Sequence, residues 1–136
     1  MKQKNVYTLD KDDDKAVQLF IKLGMPKNLA KTLLYISQFD ECKGADVEQA
    51  TDMRQPEVSV AMQELRRRGW VKKQDLKKEG KGRPVHIYTK TVKLSEVVKT
   101  LEQEKLKELT DVKNDMAELK NIILLQVHKE KDAVKL

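Results

Sequence analysis

Cysteine, proline, glycine and aromatic residues are all scarce in this sequence, and each shortage narrows the class of protein. The 136 residues include one cysteine, three prolines, five glycines and 4% aromatic residues. A single cysteine excludes a framework of internal disulfides and indicates a reducing, cytoplasmic compartment. With 39% hydrophobic and 37% charged residues, the composition favours a helix-rich globular chain over a β-sandwich or a disordered chain.

Long hydrophobic runs are also missing. No apolar run approaches the ~18–20 residues that a membrane-spanning helix needs. The charged start of the chain lacks the apolar core that would follow in a signal peptide. We therefore expect no membrane partner, and a chain of this length is expected to form one domain, alone or with an extension.

Residues typical of catalysis or metal binding are few and dispersed. His86 and His128 fall on different predicted elements, and Cys42 has no evident histidine partner. These residues at these spacings do not indicate a zinc site. The segment 80–82 reads Gly-Lys-Gly, but it lies in a predicted hairpin rather than between a strand and a helix, as a phosphate-binding loop would. The sequence therefore predicts neither an enzyme nor a cofactor.

Hydrophobic periodicity and the positions of glycine and proline predict the order of elements. The predicted helices are Asp12–Leu23, Lys27–Phe39, Ala45–Thr51 and Gln55–Arg68, with a loop at Asp40–Gly44. Two strands, Trp70–Gln74 and Val85–Thr89, follow with a basic, glycine-containing loop between them. This order predicts a mainly α fold with a small β-hairpin.

Positive charge is concentrated in the second half of this region. Ten lysines and arginines and two acids lie between Arg66 and Lys90, a net charge of +8, whereas the whole chain carries +6 and the remainder therefore −2. Charge runs are often only solvated surface, but a local basic region on a slightly acidic chain is typical of a polyanion partner.

The order of elements and two motifs resemble winged helix-turn-helix regulators. Residues 45–53, Ala-Asp-Val-Glu-Gln-Ala-Thr-Asp-Met, resemble the first half of the motif in MarR-, ArsR- and TrmB-like proteins. Residues 65–71, Leu-Arg-Arg-Arg-Gly-Trp-Val, resemble the end of their recognition helix, and small archaeal regulators of this class look most similar. The resemblance covers about residues 25–90 and implies double-stranded DNA as the partner.

A recognition helix at Gln55–Arg68 would enter the DNA major groove, where base edges are distinguishable. Gln55 has the amide that reads adenine, Ser59 reaches a base or a phosphate, and Val60 suits a thymine methyl unless it is a partly buried packing residue. Glu57 either accepts from cytosine or favours the helix N-terminus, and we prefer the second interpretation. The full predicted set of DNA-binding residues is Lys27, Asn28, Arg54, Gln55, Ser59, Val60, Gln63, Arg67, Lys81 and Arg83.

The C-terminal third has a different character, with a long helical pattern from about Leu94 to Lys131 and no glycine or proline. Its apolar residues step by three and four, which is a heptad seam, with an offset of four upstream. A stripe on a ~57 Å helix is too long for one small domain to cover, so we favour dimerisation over packing within the chain. The predicted dimerisation residues are Leu94, Val98, Leu101, Leu109, Val112, Met116, Leu119 and Ile123.

The sequence thus predicts a winged helix-turn-helix domain over residues 1–91 and a coiled-coil-like dimerisation helix over residues 92–136. The function that follows is a homodimeric, sequence-specific transcriptional regulator. Two alternatives stay open at this point. A winged helix also serves as a protein-interaction adaptor, and the same basic face suits a non-specific chromatin protein.

Overall fold

A computed structural model describes residues 9–76 and 85–134 of the chain. Two helices and a short strand precede the helix-turn-helix pair, and two strands and a long helix follow it. The elements are α1 Lys11–Lys22, α2 Lys27–Ile36, β1 Glu41–Lys43, α3 Gly44–Thr51, α4 Gln55–Arg67, β2 Val71–Leu76, β3 Val85–Lys90 and α5 Leu94–Val134. This is the mainly helical winged helix architecture that the sequence predicts, with a small antiparallel sheet.

Strand β1 lies within the segment Asp40–Gly44, which the sequence predicts to be a loop. Its three residues alternate exposed, buried and exposed around Cys42, and a segment this short carries almost no periodic signal. It forms because β3 supplies a partner: Cys42 pairs with Tyr88, and the sheet order is β1-β3-β2. The predicted hairpin is therefore part of a three-stranded sheet.

Helix α2 is shorter than predicted because the chain turns after Ile36. Ser37 is its C-cap, and Phe39 lies beyond the helix with its ring centroid 5.0 Å from that of Tyr35. Phe39 is buried nonetheless. Phe39 is apolar because it packs in the core, and this made the helical pattern of the sequence extend beyond the true end of α2.

Backbone conformation fixes the turn between α3 and α4 and the end of α4. Asp52 ends α3 in the left-handed region, at φ 54° and ψ 40°. Gly69 has φ 78° directly after the C-cap of α4, which is the position where glycine is favoured because other residues are strained there. These two residues determine where α4 begins and ends, and so which of its side chains face outward.

The core lies among the helices and against one face of the sheet. One buried face of α4 contributes Val58, Ala61, Met62 and Leu65, all at most 4% exposed. They share the core with the largely buried α2, with which α4 has extensive contacts, and Trp70 and Tyr88 of the sheet region are buried as well. Burying valine, methionine and leucine side chains contributes roughly 1.5–3 kcal/mol each, so the inner face of α4 fixes the helix against the core.

The chain divides into two compact units, Met1–Val97 and Val98–Leu136. Helix α5 begins in the first unit, where Val97 is 1% exposed, and supplies all the helical residues of the second. The functional division at residues 91 and 92 stays a prediction. Among the described residues, no helix has the length and apolar character to cross a membrane.

Candidate nucleic-acid interface

The outward face of α4 forms an exposed ridge opposite its buried face. Pro56, Val60, Gln63 and Arg67 lie along this ridge, three or four residues apart, and all are exposed. Val60 is 66% exposed, which excludes the alternative that it is a packing residue. An exposed valine between polar neighbours is available to a partner, and the ridge as a whole could enter a groove.

One flank of α4 is basic and continues onto strand β2. Arg66 leaves the helix on the side of the sheet, and a cleft beside it is lined by Gln63, Arg67, Lys72 and Lys73. We call Arg66, Lys72 and Lys73 the basic flank. These three residues belong to the basic region of the sequence, but none of them is among the predicted DNA-binding residues. Helical spacing could have assigned Arg66 to the interface, because it follows Ser59 by seven residues and so lies on the same side of the helix.

The sheet side of α4 also presents the first two predicted base-reading residues. Gln55 is exposed and Ser59 is half-buried, and both line a second cleft with Lys73 and His86. His86 Nδ1 lies 2.6 Å from Asp75 Oδ1 across strands β2 and β3. That hydrogen bond lowers the pKa of Asp75, with Lys73 adding to the effect, so a carboxylate stands among the cations of this side.

The opposite flank of α4 is acidic at its beginning. Glu57 accepts a hydrogen bond from the backbone N–H of Arg54 at 3.0 Å and another from Asn28 Nδ2 at 3.1 Å. Both bonds lower the pKa of Glu57, that from Arg54 more than that from Asn28. Glu57 therefore caps the helix N-terminus, the interpretation we preferred, and it also holds the side chain of Asn28.

Glu64 lies two turns further along the same flank and binds two arginines. Arg67 Nε donates to its two carboxylate oxygens at 2.8 and 3.1 Å, and Arg68 Nε donates at 3.2 Å. These hydrogen bonds, that of Arg67 first, lower the pKa of Glu64 to about 2, and Glu64 in turn raises the pKa of Arg67. Arg68 also lies over the ring of Trp70, 5.1 Å from its centroid. We call Glu57 and Glu64 the acidic flank.

The other predicted DNA-binding residues are distributed unevenly. Lys27 at the start of α2 and Arg54 before α4 are exposed, and Asn28 is half-buried beside Glu57. Lys81 and Arg83 lie outside the described residues. The structure thus places Val60, Gln63 and Arg67 on the exposed ridge of α4, Gln55 on its sheet side and Arg54 at its N-cap. The contacts of all these residues with DNA stay predictions. In the part of the chain described, no cluster of histidine, cysteine and acidic residues could hold a metal ion.

Comparison with known proteins gives matches among solved structures only. No model of a protein family matches the chain, and no curated protein matches it. The chain is similar to TrmBL2, an archaeal chromatin protein whose structure shows a novel mode of DNA binding, with a TM-score of 0.63 and 16% identity. That alignment covers 82% of this chain and 40% of TrmBL2, so the chain spans less than half of that protein's length.

Two further similar structures are transcription regulators. MepR of Staphylococcus aureus in its DNA-binding conformation has a TM-score of 0.47 and 20% identity, over 85% of this chain and 89% of MepR. A transcriptional regulator homologue from Pyrococcus horikoshii OT3 has a TM-score of 0.46 and 19% identity, over 74% of this chain and 95% of its own. Structural similarity at such low sequence identity shows a shared fold and nothing more. The chain has the winged helix fold that it shares with TrmBL2.

Proposed function

We propose that this protein is a homodimeric, sequence-specific DNA-binding transcriptional regulator. Helix α4 is the recognition helix and lies in the major groove, while the hairpin of β2 and β3 contacts the backbone or the minor groove. The main observation in support of the proposal is that the exposed ridge of α4 lies directly beside the basic flank. Phosphates attract the flank, and base edges meet the ridge.

Within this proposal the residues divide into two roles. Gln55, Val60 and Gln63 present the chemistry that reads bases, two amides and one aliphatic group. Arg66, Lys72 and other cations around the ridge neutralise phosphates and position the helix without reading sequence. The half-sites of a two-fold symmetric dimer form an inverted repeat, with centres about one or more turns of ~10 bp apart.

Electrophoretic shift titrations at several salt concentrations test DNA binding. We expect log affinity to fall linearly with log salt concentration, with a slope of about −0.9 per phosphate neutralised. The variant Arg66→Gln removes a basic-flank charge and should reduce the magnitude of that slope by ~1. Lys22→Gln removes an exposed charge from α1 instead and serves as the matched control.

An unchanged slope in Arg66→Gln would remove the basic flank from the interface. Absence of DNA binding at every salt concentration would contradict the whole proposal. The winged helix would then be better explained as a protein-interaction adaptor.

A non-specific chromatin protein is the second candidate, and the fold shared with TrmBL2 favours it. Competition between a selected DNA sequence and random DNA separates the two. A regulator should bind its preferred sequence ~10³-fold or more tightly than random DNA. Equal competition by both would support the chromatin function and contradict sequence-specific regulation.

A further inference from the structure

The second unit leaves an apolar stripe on α5 exposed. Leu109, Val112, Met116, Leu119 and Ile123 are each 47–58% exposed, although they follow one another at heptad spacing. In a heptad, Leu109, Met116 and Ile123 take position a, while Val112 and Leu119 take position d. Positions a and d meet across the axis in a helix pair of either orientation, so this stripe alone does not distinguish parallel from antiparallel.

The residues at the flanking positions e and g distinguish the parallel from the antiparallel orientation. Position g holds Glu108, Asp115 and then Ile122, and position e holds Lys113, Lys120 and then Val127. All six side chains are exposed. Of these two positions, g holds only acids and e only lysines in the charged heptads, and both become apolar in the next heptad.

These side chains meet different partners in the two orientations. In a parallel, in-register pair, each g residue faces the e residue five positions later on the other helix. Glu108 then faces Lys113 and Asp115 faces Lys120, with two copies of each pair by symmetry. The third pairing sets Ile122 against Val127 and widens the apolar contact beside Ile123.

An antiparallel pair sets g against g and e against e. Wherever two charged heptads meet, carboxylates would then face carboxylates and lysines would face lysines. Charges at e and g set the orientation of coiled coils in two ways: opposite charges stabilise one orientation, and like charges destabilise the other. We infer that α5 pairs with α5 of a second copy in parallel and in register, over about residues 108–127.

The existing contacts of these side chains do not oppose this pairing. Glu108 accepts one hydrogen bond from Lys105 of its own helix at 3.2 Å, and its side chain is 64% exposed. An exposed pair of this kind is weak and exchanges readily with a new partner. Leu124 and Leu125 fall at positions b and c, outside the proposed interface.

The inference rests on the proposed homodimer and adds its orientation. In a parallel pair, both copies of α5 enter the paired region at the same end, near Glu108. In an antiparallel pair they enter it at opposite ends, about 30 Å apart, since the helix rises 1.5 Å for each residue between Glu108 and Val127.

Disulfide cross-linking of the full-length chain tests the orientation. Val112→Cys and Leu119→Cys are single changes at position d, one heptad apart, and Asn114→Cys at the outward position f is the matched control. In a parallel, in-register pair each d cysteine meets its own copy, so both d variants should form cross-linked dimers under mild oxidation and the control should not. The buried Cys42 stays in place, and the unchanged chain measures its background.

If only one of the d variants cross-links, or only a mixture of the two does, the parallel arrangement is overturned. If neither does, light scattering of the unchanged chain separates the causes. A dimer would then contradict this inference alone, whereas a monomer would contradict the proposed homodimer as well. DNA binding is measured separately, so its loss or retention does not bear on orientation.

Charge reversal supplies an independent readout. The double variant Glu108→Lys and Asp115→Lys places lysine at g against lysine at e in a parallel pair, and should weaken dimerisation by about tenfold or more. Adding Lys113→Glu and Lys120→Glu should restore it. An antiparallel pair has like charges facing each other before and after the first change, so an unchanged dissociation constant, or no restoration, would overturn the inference.

Discussion

Glu64 is a residue whose charge bears directly on the proposed interface. It sits beside the exposed ridge of α4 and binds the side chains of Arg67 and Arg68. Arg67 is one of the predicted DNA-binding residues, and a guanidinium engaged with a carboxylate must exchange that partner for a phosphate. The carboxylate also repels phosphates directly. If α4 binds DNA as proposed, Glu64 opposes non-specific attraction to phosphates at the end of the helix.

The substitution Glu64→Gln should strengthen binding to random DNA. It keeps the size of the side chain but removes its charge, so Arg67 becomes available to a phosphate. We expect the magnitude of the salt slope to increase by up to ~1, with affinity rising most at low salt. Fluorescence anisotropy with random duplex DNA measures both. Glu118→Gln, an exposed acid on α5, is the control, and equal effects of the two variants would assign the result to net charge.

The pKa of Glu64 reports the same contact. In the folded protein it is lowered from 4.5 to about 2, first by the hydrogen bonds of Arg67. Because the folded pKa is the lower one, the stabilisation is present above about pH 4.5 and is lost as pH falls through about 2. An NMR titration should show the pKa of Glu64 rising toward its ordinary value in Arg67→Ala, but not in Lys120→Ala. An unchanged pKa in Arg67→Ala would mean that another group holds the carboxylate.

At the scale of an element, the end of α4 depends on one backbone conformation. Gly69 has φ +78°, and a Cβ there would meet nothing within 4 Å. Any cost of Gly69→Ala therefore comes from the left-handed backbone and not from a clash, and we expect a loss of about 1–2 kcal/mol in the free energy of unfolding. Chemical denaturation measures this.

Gly44→Ala is the matched control for that substitution. A Cβ at Gly44, the first residue of α3, would make an ordinary contact of 3.6 Å with the Tyr88 ring. Replacing glycine with alanine in a helix should be neutral or stabilise by about 0.4–1 kcal/mol. Similar losses from both variants would show that the strain at Gly69 is not the cause.

At the scale of the whole molecule, the start of α5 belongs to the core of the winged helix unit. Val97 is 1% exposed, and Val92 and Leu94 lie with it near Trp70. A chain ending at Lys90 should therefore lose about 1.5–3 kcal/mol relative to one ending at Thr100, since Val97 and its neighbours are removed. Thermal unfolding of the two truncated chains measures the difference.

Both truncated chains lack the proposed pairing region, so light scattering should find each of them monomeric while the full-length chain is dimeric. A dimer of the chain ending at Thr100 would place self-association in the winged helix unit. Equal stability of the two truncated chains would show that the burial of Val97 contributes little.

The sequence by itself determined the elements whose causes are local. Apolar spacing in α4, the proline in its first turn and the glycine after its last fix that helix within one residue, because each acts through the backbone nearby. The motif at residues 65–71 predicted the winged helix fold. Counting charged residues was enough to locate the basic region. The heptad letters of α5 also follow from sequence alone, since they depend only on helical spacing.

Tertiary structure decided what depends on residues that are distant in the chain. Strand β1 forms only because β3 lies beside it, and Val97 is buried only because the sheet and helices meet there. The exposure of Val60 required knowing which side of α4 the core covers. The hydrogen bond between Glu57 and Asn28 joins α4 to α2 across 29 residues of sequence, so only the packed fold brings the two side chains together. The contacts of Glu64 with Arg67 and Arg68, in contrast, are within reach from helical spacing alone.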